Sequence, residues 1–309
     1  MPKITVGLVV YNGADYVAQA IRSVLAQTFD DFELIILDNA SSDGTEAICR
    51  ELAATDPRIR YERRPENVGV ARNFNGCIER ARGQYLQWLC HDDLVAPTFL
   101  ERTVAVLDER SDVVLAFGQT RLIDEAGEPL RPGPGDNVFI DRQGHRRNGP
   151  PPADLATQDS AAARFLDVKK RMIRNFHLFG LHRLDVIRQT MQQQPIYGAD
   201  MNLVAEVALY GKFHEVPEDL FFKREHAKQS LAIPTAEGRA KWLNPAAQVE
   251  LFPHLKLLRL DARGILTAPI PLKDKIKLMG WVVRHLGLKQ VLLNPRHWRR
   301  AYMDQETIY

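Results

Sequence analysis

The chain has 309 residues, 45% of them hydrophobic and 26% charged, with a formal net charge of +2. That suffices to bury one large core plus a smaller tail, and no uninterrupted apolar run is long enough to cross a membrane. With no basic and apolar leader before the first strand, and three cysteines (Cys49, Cys77, Cys90) lacking metal-ligand spacing, a secreted disulfide scaffold is excluded and a cytoplasmic protein with reduced thiols is expected.

Ile4 to Tyr11 is apolar and β-branched, as a strand buried on both faces should be, and Asn12-Gly13 supplies a turn. Tyr16, Val17, Ala20, Ile21, Val24 and Leu25 recur at helical spacing, predicting an amphipathic helix from Asp15 to about Gln27. Phe32 to Leu37 reads as a second buried strand, ending at the turn and cap residues Asp38-Asn39-Ala40-Ser41-Ser42-Asp43-Gly44-Thr45. A helix (Thr45 to Ala54), a strand (Ile59 to Glu62), a loop with Asn67-Val68-Gly69, a helix (Val70 to Ala81) and a strand (Tyr85 to Leu89) follow. Such alternation predicts a parallel sheet covered on both faces, with ligands at the carboxyl ends of its strands. Tyr11, Asp38, Asn39, Asp92 and Asp93 all fall there. Paired acids after a strand suit a hard divalent cation that leaves room for substrate phosphates.

In order and spacing, Val9-Val10-Tyr11-Asn12-Gly13, Ser23-Val24-Leu25-Ala26-Gln27-Thr28, the Phe32 to Thr45 segment, Asn67-Val68-Gly69 with Ala71-Arg72-Asn73, and Asp92-Asp93 resemble a family 2 glycosyltransferase. The resemblance implies the α/β GT-A fold: a Rossmann-like, mostly parallel central sheet flanked by helices, here with a C-terminal helical extension. It implies a catalytic domain over 1–232, its 1–120 half holding a nucleotide-sugar donor and its 121–232 half an acceptor, and an extension over 233–309. Val9 and Tyr11 would line the nucleotide pocket, Asp38 or Asn39 would face the base, and Arg72 would hold base or ribose. Asp92 and Asp93 would bind the diphosphate and its Mn²⁺ or Mg²⁺. Two positions depart from the family pattern: Asn39 stands where a second acid is usual, and Cys90 where the metal motif often begins.

Between 125 and 159 the chain is rich in Gly and Pro and carries Arg142, His145, Arg146 and Arg147. A loop that long in a compact domain is a lid, an insertion or a solvated surface segment; by family habit it borders the acceptor, where its basic cluster would meet an anionic group. Asn175 to Arg183 reads as a strand, with His177 and His182 as wall or surface residues. Asp200 opens an apolar-periodic helix, where an acid is commonly an N-cap. In the resembled family an acid there is the catalytic base, and Glu206 further along reads as exposed or structural. Arg224-Glu225-His226 resembles the family's late Arg-x-His turn, whose histidine reaches metal or diphosphate; otherwise His226 caps a solvated loop.

From Pro271 to Ala301 eight basic residues face one acid, Asp274, so charge is concentrated in a tail interleaved with Leu, Val and Trp. Such helices lie against anionic membrane as a peripheral contact, or pack on the catalytic domain or on a second subunit of a homo-oligomer. Basic residues set among aliphatics rather than on a stacking platform exclude nucleic acid. The expected activity is metal-dependent, inverting transfer of a sugar, from UDP by default, to a glycan or lipid-linked acceptor in cell-surface polysaccharide synthesis. The alternatives are a non-catalytic sugar-nucleotide-binding or scaffold protein and a sugar nucleotidyltransferase. The last would carry a Gly-rich basic loop after the first strand, and Tyr11-Asn12-Gly13-Ala14-Asp15 is not one.

Overall fold

The structure, a computed structural model, describes residues 1–286 except 136, 143, 151–153, 173, 230–232, 234 and 247–252. In chain order the elements are β1 (Ile4–Val10), α1 (Val17–Leu25), β2 (Phe32–Asp38), α2 (Thr45–Ala53), β3 (Ile59–Arg63), α3 (Val70–Arg80), β4 (Tyr85–Cys90), β5 (Leu94–Val95), α4 (Phe99–Glu109), β6 (Val113–Ile123), β7 (Arg131–Pro132), β8 (Val138–Ile140), β9 (Arg146–Asn148) and α5 (Ala161–Arg171). A 3₁₀ turn (His177–Phe179), β10 (Leu181–Arg183), α6 (Leu184–Gln189), α7 (Ala199–Tyr210), β11 (Lys212–Arg224), α8 (Ala236–Leu243), α9 (Pro253–Thr267) and α10 (Leu272–Leu286) complete the chain.

Eight strands form one sheet in the order β3-β2-β1-β4-β10-β6-β11-β5. The first four run parallel, β11 runs parallel to β6, and β10 and β5 are antiparallel to their neighbours. Every residue of β1 and β2 is buried, because α1 and α2 cover one face and α3 the other, which is why both strands read as continuous apolar runs. The GT-A arrangement with helices at its C-terminal end is therefore present.

Three expectations change. The 125–159 stretch holds the three-stranded antiparallel sheet β7-β8-β9, and its cations are spent locally: Arg147 Nη2 bonds Asp141 at 2.9 Å and Arg142 pairs with Asp124. Only Leu181–Arg183 of the expected 175–183 strand enters the sheet, since the 3₁₀ turn takes up the residues before it. His177 and His182 are neither surface nor cleft-wall residues but buried at 2% and 1% exposure, His182 at ring distance 5.3 Å from Trp88 and His177 at 4.4 Å from Phe117.

The C-terminal helices share the main core: Ile265 of α9 and Leu278 and Val282 of α10 pack with α5 and α7. The part of the expected basic tail from Lys289 to Ala301 lies outside the described residues. Among the described residues no helix is long and apolar enough to cross a membrane.

Candidate active site

A cleft of about 780 Å³ opens at the carboxyl ends of β1 and β4, within the range of small-molecule sites. Three groups of residues meet in it.

The first group surrounds the end of β1. Val9, Tyr11 and Asn39 line the wall, with Asn67, Val70 and Leu243 beside them. Asn39 is used on both sides of its amide: Nδ2 donates to Asn67 Oδ1 at 2.8 Å, and Oδ1 accepts from the Val68 amide at 2.9 Å. It thereby pins the loop that starts α3. Gly69 follows at φ 84°, and a Cβ there would lie 2.2 Å from the Leu243 carbonyl, so only glycine lets α8 close over this end. Asp38 does not reach the cleft. It is fully buried, accepting from the Ser41 amide at 2.8 Å and from the Tyr61 hydroxyl at 2.7 Å, and so holds the turn after β2. Arg72 also lies off the wall: α3 turns Ala71, Asn73 and Phe74 inward and leaves Arg72 exposed.

The second group is built by a strand pairing that spans the chain. After β4, β5 pairs with β11 through Leu94 and Phe222, which sets Lys223 and Arg224 against Asp93 and Asp92. Lys223 Nζ lies 3.0 and 3.1 Å from the two oxygens of Asp93, and the Arg224 amide donates to Asp93 Oδ1 at 3.0 Å. Asp93 is completely buried and off the cleft wall. Arg224, also fully buried, donates Nε to the Asp92 carbonyl at 2.9 Å and stacks on Tyr16, so it brackets the acidic turn. Asp92 faces the cleft. Its Oδ2 lies 2.9 Å from His226 Nε2, while its buried Oδ1 has no hydrogen-bond partner among the described residues. Burial would raise the Asp92 pKa, but the Lys223 ammonium and the His226 bond win and hold it well below the usual carboxylate range. His226 is thus a buried partner of Asp92 rather than the cap of a solvated loop.

Cys90, Asp92 and Asp93 bring ligand atoms within 4.8 Å of one another. The set is not the one the paired acids suggested. Both Asp93 oxygens are engaged by Lys223, and burial beside two carboxylates lifts the Cys90 thiol well above its ordinary pKa, leaving a soft, protonated sulfur. Of the acid oxygens in this set, Asp92 Oδ1 is the one left without a hydrogen-bond partner among the described residues, with the His226 imidazole beside Asp92.

The third group faces these from α7 and the segment before it. Gly198, not Asp200, is the N-cap residue of α7; Asp200 is its second residue and lines the cleft. Asn175 Nδ2 donates to Asp200 Oδ2 at 3.2 Å. Burial raises the Asp200 pKa, with the Asn175 bond opposing it in part. Arg174, nearly buried on the same wall, is held by Glu225 at 2.5 Å. Glu206 is buried rather than exposed, accepting from the Met191 amide at 2.9 Å, and lies outside the cleft. Sequence reading did not single out Lys223 or the Arg174–Glu225 pair; a lysine inside an apolar strand, Phe221-Phe222-Lys223, was the signal available.

A model of glycosyl transferase family 2 matches residues 5–168, more than half of the chain. The chain belongs to that family. Among family 2 relatives, an uncharacterized glycosyltransferase of Rickettsia felis is 36% identical over 132 residues, 42% of this chain and 21% of that protein. TuaG of Bacillus subtilis is 35% identical over 129 residues, 42% of this chain and 51% of its own length. The matches therefore span about a fifth to a half of these relatives. Of solved structures, S. aureus TarS in complex with UDP-GlcNAc aligns with a TM-score of 0.60 at 14% identity, over 96% of this chain and 78% of that one. The mannosyltransferase PcManGT from Pyrobaculum calidifontis, in complex with GDP-Man and Mn²⁺, aligns at 0.53 with 15% identity, over 98% and 85%. At such identities the likeness is of fold, and it is the GT-A fold.

Proposed function

We propose that this family 2 protein transfers a sugar from a nucleoside-diphosphate donor to an acceptor hydroxyl with inversion. The observation that carries the reading is the shared cleft: Asp200 stands on one wall, while Asp92, His226 and Lys223 stand on another. In this proposal 1–120 supplies the donor half, 121–232 the acceptor half and 233–309 the helical extension.

The base and ribose would lie among Val9, Tyr11, Asn39 and Asn67, under α8, where Trp242 and Leu243 line the cleft. UDP is the default nucleotide, as in TarS with UDP-GlcNAc, and GDP is the other that this fold accommodates, as in PcManGT with GDP-Man. Lys223 would face the diphosphate with a charge fixed by Asp93, and Arg224 keeps the Asp92 turn in place beneath it. Mn²⁺ or Mg²⁺, held at Asp92 Oδ1 and His226, would neutralise charge on the leaving diphosphate. Asp200 would take the acceptor proton, and its raised pKa matches it to a hydroxyl better than an ordinary carboxylate. A single displacement from the face opposite the diphosphate gives inversion and needs no covalent intermediate. TuaG, whose name assigns it provisionally to teichuronic acid biosynthesis, supports a glycan or lipid-linked acceptor of the cell surface.

The test is binding and hydrolysis of UDP-, GDP-, dTDP- and CMP-sugars by the full chain, with and without Mn²⁺, compared with Asp92→Asn and Asp200→Asn. One nucleotide should bind, Asp92→Asn should weaken it, and Asp200→Asn should bind it normally without turning it over. Binding of none, or equal turnover by Asp200→Asn, would refute the reading.

A further inference from the structure

Seven large hydrophobic residues are exposed among those described, and four of them sit on α9 and α10: Leu266, Leu272, Ile276 and Val283, at 57 to 72% exposure. Their arrangement is ordered. At 3.6 residues per turn, Leu272, Ile276, Met279 and Val283 fall in one stripe of α10 about 60° wide. Beside it, beyond the exposed Gly280, Lys273, Lys277 and Arg284 form a second exposed stripe about 40° wide. Leu278 and Val282 lie about 90° or more around the helix from the middle of that stripe and are buried in the core, with Met279 packed against it at the stripe's edge, so the helix cannot roll to hide Leu272, Ile276 and Val283.

The acids of both helices are turned inward. Asp274 of α10 is buried and accepts from Ser160 Oγ at 3.3 Å. Asp261 of α9 is buried and accepts from Asn202 Nδ2 at 2.7 Å, with Lys169 Nζ 3.0 Å away. The solvent side of α9 adds exposed Arg259 and Arg263 next to Leu266. Among the described residues, none of Arg259, Arg263, Lys273, Lys277 and Arg284 has an ion-pair partner within 4.0 Å.

We infer that this face of α9 and α10 docks on an anionic lipid surface. Apolar side chains bordered by cations, with no exposed acid on either helix among the described residues, match the boundary between acyl chains and negative headgroups. A second copy of the chain fits poorly, because a two-fold contact would bring both basic stripes into one interface with no acid of either helix to pair them. Residues 287–309 carry four basic residues and two acids, so they add to the positive charge instead of neutralising it. The face is also coupled to the cleft: Asn202, two residues after Asp200, bonds both Asp261 and the Leu257 carbonyl, at 2.7 and 2.9 Å. A docked α9 would therefore hold the Asp200 wall of the cleft at a fixed height over the lipid. This goes beyond the donor chemistry proposed above and does not depend on it.

Vesicle flotation of the full chain tests it, using phosphatidylcholine alone and with 30% phosphatidylglycerol, at low salt and at 0.5 M NaCl. Binding should require the anionic lipid and fall with salt. Lys273→Glu/Lys277→Glu should weaken it at least about twentyfold, at roughly fivefold for each basic residue removed. Leu272→Ser/Ile276→Ser/Val283→Ser should weaken it at least about tenfold. All substituted side chains are exposed, so melting temperature and nucleotide binding should match the wild type. Equal binding to both vesicle types, or variants that bind like the wild type, would overturn the inference. So would a dimer that Ile276→Ser splits without any vesicle binding, since a second copy would then cover the face.

Discussion

Lys223 donates to both carboxylate oxygens of Asp93, at 3.0 and 3.1 Å, while standing 3.9 Å from Asp92. One ammonium thus serves two adjacent acids that the chain places 130 residues away. The pair also explains how a fully buried carboxylate is tolerated beneath the cleft: burial lifts Asp93, and the Lys223 charge opposes it. Lys223→Met should leave Asp93 uncompensated and cost about 3 kcal/mol in urea unfolding. Adding Asp93→Asn should return much of that loss. A double-mutant cycle measures it, and strictly additive losses would show that the two groups do not act as a pair.

Asp200 should govern the acid side of turnover. Its pKa is raised by burial, so as the proposed base it would be lost to protonation at a higher pH than an ordinary carboxylate, and activity should fall as pH drops through that value. Asn175→Ala removes the bond that lowers the pKa and should move the acid limb of kcat/KM further upward. Asp200→Asn should lower kcat about 10²- to 10⁴-fold with donor affinity unchanged. A limb unmoved by Asn175→Ala would assign it to another group.

The buried histidines predict acid sensitivity. Burial pushes His177 down to about 3 and His182 to about 4, from an ordinary 6.5. Unfolded imidazoles take up protons below about pH 6.5 while the folded ones do not. The stability they confer is therefore complete above that pH and is lost as pH falls toward 4, at up to about 1.4 kcal/mol per pH unit for each. Among the described residues His177 makes no hydrogen bond through either ring nitrogen, so His177→Leu should reduce the acid slope by one histidine's share. Urea midpoints at pH 7, 6 and 5 would show it.

Glu206 predicts the opposite sign. Burial pushes it up to about 7 from an ordinary 4.5, so its protonated form suits the fold. Its contribution is present below pH 4.5 and is lost as pH rises through 7, amounting to roughly 3 kcal/mol at most. Glu206→Gln keeps the acceptor for the Met191 amide and should be more stable than the wild type at pH 8 but not at pH 4.5. Equal pH dependence in thermal melts would rule this out.

Much of the fold was legible because its signals are local. Continuous apolar runs marked β1, β2 and β4, and the Asp92-Asp93 step marked the end of a strand. Helical spacing located α1, and the alternation of strands and helices marked a parallel sheet with its ligand end at the carboxyl ends of the strands. What the residues reach was decided by tertiary structure. Asp38 and Asn39 are neighbours, yet one turns into the core to hold Ser41 and Tyr61 while the other faces the cleft. Arg72 misses the cleft because the phase of α3 is set by packing Ala71 and Phe74.

Lys223 is the clearest case. Its role depends on Phe222 pairing with Leu94, a contact between segments far apart in the chain that no local pattern encodes. In α10 the sequence determined an amphipathic helix with two apolar stripes and one basic one. Which apolar stripe is buried depended on the surface offered by α5 and α9, and so left Leu272, Ile276 and Val283 outside. Periodicity acts over a few residues and fixes the faces of an element. The partner of each face is chosen by packing among elements from the whole chain, and only the assembled core can make that choice.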